Sequence, residues 1–561
     1  MSRLASDRHT RTGYLLAAPT VVLLLAVFVG GMLTLLEYSF HRTLPDGSDV
    51  GGTVATWAEF LTTGYRWQVV GQTVELGLVV TAVTALVGWP TAYALHRIRS
   101  GTLRYVGLFV VFAPLLTSVI ARTYGWELIL GDSGLVNTVL AALGLGQVPL
   151  LYTQTSVVLA LVHILLPFMV FPVLSSLRQL DPALGDAAGD LGAGAFTRFR
   201  RVSVPLTLPG VIAGGQLVFA LSISSFATPA LLGGGRVRVL ATSVYDDVNN
   251  VDWAMAAVTS YTLLAIAVVA LAVFSAMQRR IRRSSGGVTA SASTHRAGPG
   301  WTAWLVAVFV FVLAPLVVIV VNSFSSVAYG AWPPPGWSTR WYANLLAQDG
   351  LGAATVLSLQ VAVPATILAT ALGTATALAL VRHRAPGSRL VESFSLSPTV
   401  VPKVAFGFAG FIFLHRIGLF GGVAGLVLTH VVITLPFVVI VMTAALVRAD
   451  ATLDEAAADL GARPLRAFLL ATLPQVRSAV VAAALFAFII SFDEVDMTVF
   501  LLTPDQTTVP VWMFTYMQKY QDPTLAALSA ILIAAAVLGA AVVAALLARS
   551  GALTTLVNRK D

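Results

Sequence analysis

LPFMVFPVLSSLRQLDPALGDAAGDLGAGAFTRFRRVSVP runs from Leu166 to Pro205, and LPFVVIVMTAALVRADATLDEAAADLGARPLRAFLLATLP runs from Leu435 to Pro474. Aligned without a gap, fifteen of the forty positions are identical, among them Pro167/Pro436, Asp181/Asp450, Ala187/Ala456, Ala188/Ala457, Gly192/Gly461, Phe199/Phe468 and Pro205/Pro474. Both copies set charge and glycine between long apolar runs. That combination points to a duplicated membrane protein that hands force to something in the cytoplasm.

Composition supports the membrane reading. Apolar residues make up 57% of the 561-residue chain and charged residues 11%, against about 25% charge in a soluble domain. Many apolar runs exceed the ~20 residues that cross a bilayer. Hydropathy predicts twelve spans, about Gly13–Leu36, Val69–Leu95, Leu103–Ala121, Thr155–Leu177, Val204–Ser225, Met255–Met277, Trp301–Phe324, Ala354–Val381, Val391–Leu414, Gly422–Val447, Pro474–Phe492 and Leu525–Ala548. The first is too long for a cleaved signal and reads as a retained span.

With the N-terminus inside, most of the 34 lysines and arginines fall on cytoplasmic segments, including Arg97, Arg99, Arg104, Arg178, Arg198, Arg200, Arg201 and the run Arg279–Arg283. The positive-inside rule then orients the chain with both termini cytoplasmic. The basic balance is therefore topology, not a nucleic-acid footprint. There is no cysteine, which excludes disulfides and thiolate metal sites.

Residues 278–300 are basic, then rich in Ser, Gly and Ala, and read as a cytoplasmic linker. It divides a first half, residues 1–277, from a second, residues 301–561, each of six spans. Thr81, Gly88, Ala92, Ala94 and Leu95 match Thr366, Gly373, Ala377, Ala379 and Leu380, which supports duplication. Both halves begin inside, so the repeats are parallel.

The repeated segments, 181–205 and 450–474, each predict a helix–turn–helix between two spans. Asp181 is a good N-cap and Pro182 suits the first helical position. Leu184, Ala187, Ala188 and Leu191 share one helix face, and Gly192 permits a sharp turn. Asp450, then Leu453, Ala456, Ala457, Leu460 and Gly461, repeat the scheme. A face of alanines admits close approach by another helix or a groove. The alternative is a hairpin packed beneath its own bundle. Two copies with the same internal spacing, both on the cytoplasmic side, argue for docking.

The pattern resembles the EAA loop of permease subunits of binding-protein-dependent ABC importers. That loop reads Glu-Ala-Ala, three residues, Gly, then Leu-Pro. Here it is Glu455-Ala456-Ala457, Gly461 and Leu473-Pro474; the first half has Asp186-Ala187-Ala188, Gly192 and Val204-Pro205, with Asp for Glu and Val for Leu. The resemblance implies an all-α polytopic protein with the type I importer transmembrane fold. It also implies that each loop is a coupling helix seated in a cleft of an ATPase subunit, so Asp186, Ala187, Ala188, Gly192, Glu455, Ala456, Ala457 and Gly461 are the expected coupling residues. Phe226–Gly234, Ser491-Phe-Asp-Glu494 and Asp522-Pro-Thr524 resemble the two permeases of spermidine/putrescine-type systems. The chain is thus similar to such a pair fused into one. The implied partners are two copies of a cytoplasmic ABC ATPase, an extracytoplasmic binding protein and the lipid bilayer of a bacterial inner membrane, with no nucleic acid.

A phosphate-binding loop of the Walker type needs Gly-Lys-Ser/Thr. The lysines are Lys403, Lys519 and Lys560, preceded by Pro402, Gln518 and Arg559. ATP and Mg²⁺ are therefore expected on the partner, with no cofactor and no enzymatic site in this chain. Ionisable groups inside spans tend to be functional, which makes Glu75, Arg122, Trp126, Lys403, Asp493 and Glu494 candidate substrate-pathway residues. Acids and aromatic faces suit a cationic solute. Lys403, where polyamine-type relatives often carry an acid, speaks for an anionic or zwitterionic solute, or for a structural pair with Glu494. His163 and His430 read as hydrogen-bonded within the bundle.

The expected function is import of a small polar solute, polyamine-like or a related amine or aminophosphonate, by alternating access. The alternatives are a permease for an anion or ferric iron, an ion-coupled secondary transporter and an integral membrane enzyme. The two copies also differ. Asp186 stands against Glu455, and the basic Arg198-Phe-Arg-Arg201 against the apolar Phe468-Leu-Leu-Ala471. The two halves are expected to grip their ATPases unequally.

Overall fold

The computed structural model describes residues 2–44, 48–98, 100–284, 299–383 and 386–549. The chain is helical, with a two-residue antiparallel pair, Arg42–Thr43 with Asp49–Val50. Its principal helices are α1 (Arg11–Tyr38), α2 (Gly64–His96), α3 (Gly101–Leu116), α4 (Val119–Leu130), α5 (Gln154–Arg178), α6 (Pro182–Asp190), α7 (Phe199–Ser224), α8 (Trp253–Ser284) and α9 (Pro299–Asn322). The second half continues with α10 (Leu351–His383), α11 (Ser388–Thr399), α12 (Lys403–Arg416), α13 (Val423–Arg448), α14 (Thr452–Asp459), α15 (Pro464–Phe492), α16 (Val509–Lys519) and α17 (Thr524–Arg549).

Among the described residues, nine helices are long and apolar enough to cross a membrane, or eleven if each of two bent pairs counts as one span. The twelfth expected span falls on α17, whose shorter apolar stretch is Thr524–Gly539. The bent pairs correct two expected continuous spans. The run Leu103–Ala121 breaks between α3 and α4 with a bend of 99°, and Val391–Leu414 breaks between α11 and α12 with a bend of 96°. Pro398 and Pro402 explain the second break. Pro402 lacks an N–H and pushes Val401 out of the helical region, and it sits with extended ψ at the start of α12. In the first break Thr117 and Ser118 are extended. Such backbone is tolerated at membrane depth where protein or a cavity covers it.

Two junctions run straighter than expected. The second arm of each helix–turn–helix fuses with the following span through a π-helical turn, Phe199–Ser203 before Pro205 and Phe468–Thr472 before Pro474. Proline cannot complete a bond to the carbonyl four residues back and crowds it. In the widened turns Val204 N–H bonds the Phe199 carbonyl and Leu473 N–H the Phe468 carbonyl, five residues back, and each helix continues past its proline. The start of the expected linker is also helical. Arg279 to Ser284 extend α8, as suits arginine's helix propensity. The remainder of the linker, 285–298, lies outside the described residues.

The chain forms two compact units. One contains α1 with α10 to α15; the other contains α2 to α9 with Met513–Ala536. Each unit therefore holds the first helix of the other sequence half. In the first unit α1 is fixed by a hydrogen bond of 2.8 Å from the Thr376 hydroxyl to Thr20, and by Phe28 against Phe406 with ring centroids 5.6 Å apart. In the second, the Trp304 indole donates to the Thr91 hydroxyl at 3.1 Å, and Trp301 packs against Tyr93 with ring centroids 4.8 Å apart and the rings tilted by 58°. Small residues permit the close crossings. Gly125 lies against Pro315, and a Cβ there would approach the Pro315 carbonyl to 2.8 Å.

Candidate functional site

The two repeated segments share one helix–turn–helix plan but start their helices differently. In the first, the Asp181 carboxylate accepts from the Ala183 N–H at 2.9 Å and caps α6, with Pro182 in the first turn. In the second, the capping position is Ala451, whose side chain makes no bond. Asp450 acts from one residue further back, accepting from the Thr452 N–H at 2.9 Å and the Thr452 hydroxyl at 2.8 Å. These two bonds to Thr452 hold the Asp450 carboxyl below its ordinary value.

The spacing of the EAA motif is the spacing of a Schellman helix end. Ala193 N–H donates to the Ala188 carbonyl at 2.9 Å, and Gly192 N–H to Gly189 at 2.8 Å. Ala462 N–H donates to Ala457 at 3.0 Å, and Gly461 N–H to Ala458 at 2.9 Å. In this ending the glycine takes a left-handed conformation just past the helix, and the residue four before it receives the outer bond. Gly192 and Gly461 both have φ of +80°. The last alanine of each motif is thus the outer acceptor, and the glycine follows at the distance the bond requires.

Both helices turn their apolar residues outward. Leu191 and Leu460, at the last position before each glycine, are each 89% exposed. Leu184, Leu453 and Leu465 are also exposed, as are Ala187, Glu455 and Ala456, while Ala188 and Ala457 are half-buried. A hairpin packed beneath its own bundle would bury this face. Exposed leucines at the same place in both copies mark an interaction surface. The Asp186 side chain lies outside the described set.

The anchoring of the two loops differs in kind. Behind the first, Phe199 packs edge-on against Trp89 at 4.8 Å and Tyr93 at 5.8 Å, next to Trp301 at 6.1 Å. Behind the second, the anchor is polar. Arg382, at the end of α10, pairs with Asp454 of α14 at 3.3 Å and donates to the Ala449 carbonyl at 3.1 Å. The Thr472 hydroxyl donates to Asp454 at 2.5 Å, and the Gln475 amide bonds both ways with the Asp450 backbone, at 2.9 and 3.3 Å. The first copy has Gly185 where the second has Asp454 and Leu206 where it has Gln475, so the polar brace has no counterpart there.

The expected pathway residues divide between the units. In the first unit, Lys403 opens α12 and meets Glu494, just past α15, at 2.5 Å. The Glu494 side chain is 1% exposed and also accepts from the Met497 N–H at 3.1 Å. A cation at a helix N-terminus opposes the helix dipole, and the glutamate offsets it. Beside the pair, the two ring nitrogens of His430 bond the Ser491 hydroxyl at 2.8 Å and the Thr498 hydroxyl at 3.1 Å. Asp493 is half-buried on the same turn.

In the second unit, Glu75 accepts from the Gln154 amide at 3.1 Å. Arg122 and Trp126 are buried in α4, and Trp126 packs edge-on against His163 at 5.8 Å. The His163 Nε2 donates to the Val312 carbonyl at 2.9 Å. Sequence reasoning passed over Arg382, Asp454 and Thr472. Their signal was an acid in the second docking helix with no match in the first.

Residues 14–283 and 369–552 match the family described as binding-protein-dependent transport system inner membrane component. The chain belongs to that family. It is a permease of a binding-protein-dependent ABC importer, a multi-pass inner-membrane protein carrying two copies of the family's repeat. Among its relatives, the spermidine/putrescine transport system permease protein PotB of Haemophilus influenzae is 33% identical over 219 residues, 38% of this chain and 76% of the relative. The putrescine transport system permease protein PotI of Escherichia coli K12 is 35% identical over 235 residues, 40% of this chain and 83% of the relative. A solved bacterial alginate ABC transporter in complex with alginate pentasaccharide-bound periplasmic protein aligns at 18% identity and a TM-score of 0.39, over 49% of this chain and 96% of that one. Family membership decides against the secondary transporter and the membrane enzyme, and these relatives are permease subunits rather than ATPases. A binding protein is accordingly a partner of the permease.

Proposed function

We propose that this permease takes a small polar solute, polyamine-like or a related amine or aminophosphonate, from its binding protein and releases it into the cytoplasm. Two copies of a cytoplasmic ATPase bind ATP and Mg²⁺, and the chain binds neither. Both termini lie in the cytoplasm, as the arginine distribution favours. One ATPase seats on α6 through Ala187, Ala188 and the turn at Gly192, with Asp186 beside them. The other seats on α14 through Glu455, Ala456, Ala457 and the turn at Gly461.

The observation that carries this reading is the pair of Schellman-capped helices, each with a leucine 89% exposed at the same position. ATP-driven approach of the two ATPases draws the helices together and switches the access of the path. The similarity to spermidine/putrescine permeases supports an amine as solute. Charging the outward face, as in Leu191→Glu with Leu460→Glu, is expected to abolish co-purification of the ATPase while the permease still folds in detergent. Undiminished co-purification would overturn the docking role.

One observation favours the second reading, a permease for an anion or ferric iron. Glu494 is already neutralised by Lys403, so this acid is not open to a polycation. The solute is decided by a thermal-shift screen of the binding protein. Stabilisation by spermidine or putrescine supports the amine; stabilisation only by phosphonates, organic acids or ferric iron replaces it.

A further inference from the structure

Between α3 and α5 lies a cavity of 270 Å³ lined by Leu108, Phe171, Leu174, Ser175, Arg178 and Gln179. Leu108, Phe171 and Leu174 make its apolar wall, and Phe112 meets Phe171 with centroids 6.1 Å apart. Its rim is basic. The two helices run antiparallel, α3 leaving the cytoplasmic side and α5 returning to it. Arg104 precedes Leu108 by one helical turn, and Arg178 follows Leu174 by one turn. Residues four apart share a helix face, so each helix presents a leucine to the cleft and an arginine at its cytoplasmic end.

The two arginines lie close enough to repel one another, and both act on His96 together with Arg97. Arg97 stacks on the Tyr93 ring at 4.9 Å. Among the described residues, no acid forms an ion pair with His96, Arg97, Arg104 or Arg178. Like charges at the mouth of an apolar cleft are relieved by an anion that carries its own apolar chain. Phosphate geometry suits guanidinium groups, and basic pockets between transmembrane helices on the cytoplasmic side fit anionic phospholipid headgroups.

We infer that this cleft is a binding site for an anionic phospholipid of the cytoplasmic leaflet, with its phosphate between Arg104 and Arg178 and an acyl chain against Leu108, Phe171 and Leu174. The choice of leaflet rests on the proposed orientation; selectivity for the headgroup does not. The site lies on the helix that feeds the first docking loop, since α5 ends at Arg178 and α6 begins at Pro182. A bound lipid would therefore steady the base of that loop.

The test uses the full-length permease in phosphatidylcholine nanodiscs titrated with phosphatidylglycerol, read by native mass spectrometry and thermal stability. The wild type is expected to retain and be stabilised by phosphatidylglycerol in preference to phosphatidylcholine. Arg104→Gln with Arg178→Gln should weaken that preference by roughly thirtyfold, since each of the two basic groups near an anionic surface contributes roughly 1 kcal/mol. Leu108→Trp fills the cleft with both arginines in place and should weaken it as well, while Arg279→Gln with Arg280→Gln should leave it intact. No preference in the wild type, or a preference unchanged in the first two variants, overturns the site. Equal stabilisation by inorganic phosphate alone overturns the lipid and leaves a free-anion site. A vesicle assay with phosphatidylglycerol confined to one leaflet reports orientation separately.

Discussion

At the scale of single residues, charge is held by specific partners. Lys403 and Glu494, 91 positions apart in the chain, form the structural pair that the sequence offered as one of two readings of Lys403. Removing one member of a buried pair strands the other, typically at 3–5 kcal/mol, whereas replacing both with apolar side chains is often nearly neutral. Lys403→Met strands the buried Glu494 carboxylate and is expected to lower stability, by less than a fully buried pair would because the Lys403 side chain is 37% exposed, and Lys403→Met with Glu494→Met should recover most of it, measured by thermal unfolding in detergent. If the pair holds the break before α12 and does not hold solute, transport by the double variant should keep its solute preference. Gly192 and Gly461 set a different constraint. A Cβ at either would meet nothing within 4 Å, so only the backbone conformation resists substitution. Gly461→Ala should then loosen the loop by about 1–2 kcal/mol, lowering solute-stimulated ATPase activity without loss of the folded protein. Both glycines were legible in the sequence because the motif spacing is itself a hydrogen-bond pattern.

At the scale of elements, hydropathy located the spans but not their direction. It counts apolar residues and averages over a break, so the bends after Leu116 and Thr399 were hidden within apolar runs, although Pro398 and Pro402 stood in plain view. The exposed side of α6 and α14 was likewise a matter of two consistent patterns until the burial of each leucine was known. The anchors were the least legible, since Arg382 lies far from Asp454 in the chain. They lead to opposite expectations for the two loops. Ion pairs weaken with salt, whereas aromatic packing does not. Asp454→Asn should speed hydrogen exchange in α14 and remove the salt dependence of that exchange, with α6 unchanged. Phe199→Ala should loosen the first loop at all salt concentrations. The capping acid adds a pH dependence. Because bonds to Thr452 depress the Asp450 carboxyl in the folded state, its contribution is complete above the ordinary carboxylate value of about 3.9 and fades as pH falls through the lower folded value. Protection of α14, corrected for the intrinsic pH dependence of amide exchange, should therefore be flat across neutral pH and fall only below about pH 4; a fall near neutrality would assign the protection to another group.

At the scale of the whole molecule, the duplicated segments are two exposed helices with one helix ending and two kinds of attachment. The repeat said that the chain is double; the structure adds that each compact unit takes its first helix from the other sequence half, which pattern alone could not give. Under the proposed function, unequal anchoring gives the two ATPases levers of different stiffness, one backed by an aromatic cluster and the other tied by Arg382 and Asp454. The absence of cysteine makes the central claim directly measurable, since every introduced thiol is the only one in the chain. Leu191→Cys and Leu460→Cys, each reacted with a bifunctional thiol reagent beside the ATPase subunit, should each yield one permease–ATPase adduct, and the double variant should capture two ATPases on one permease. Adducts from only one position, or from neither, would contradict the account of two docking helices on one chain.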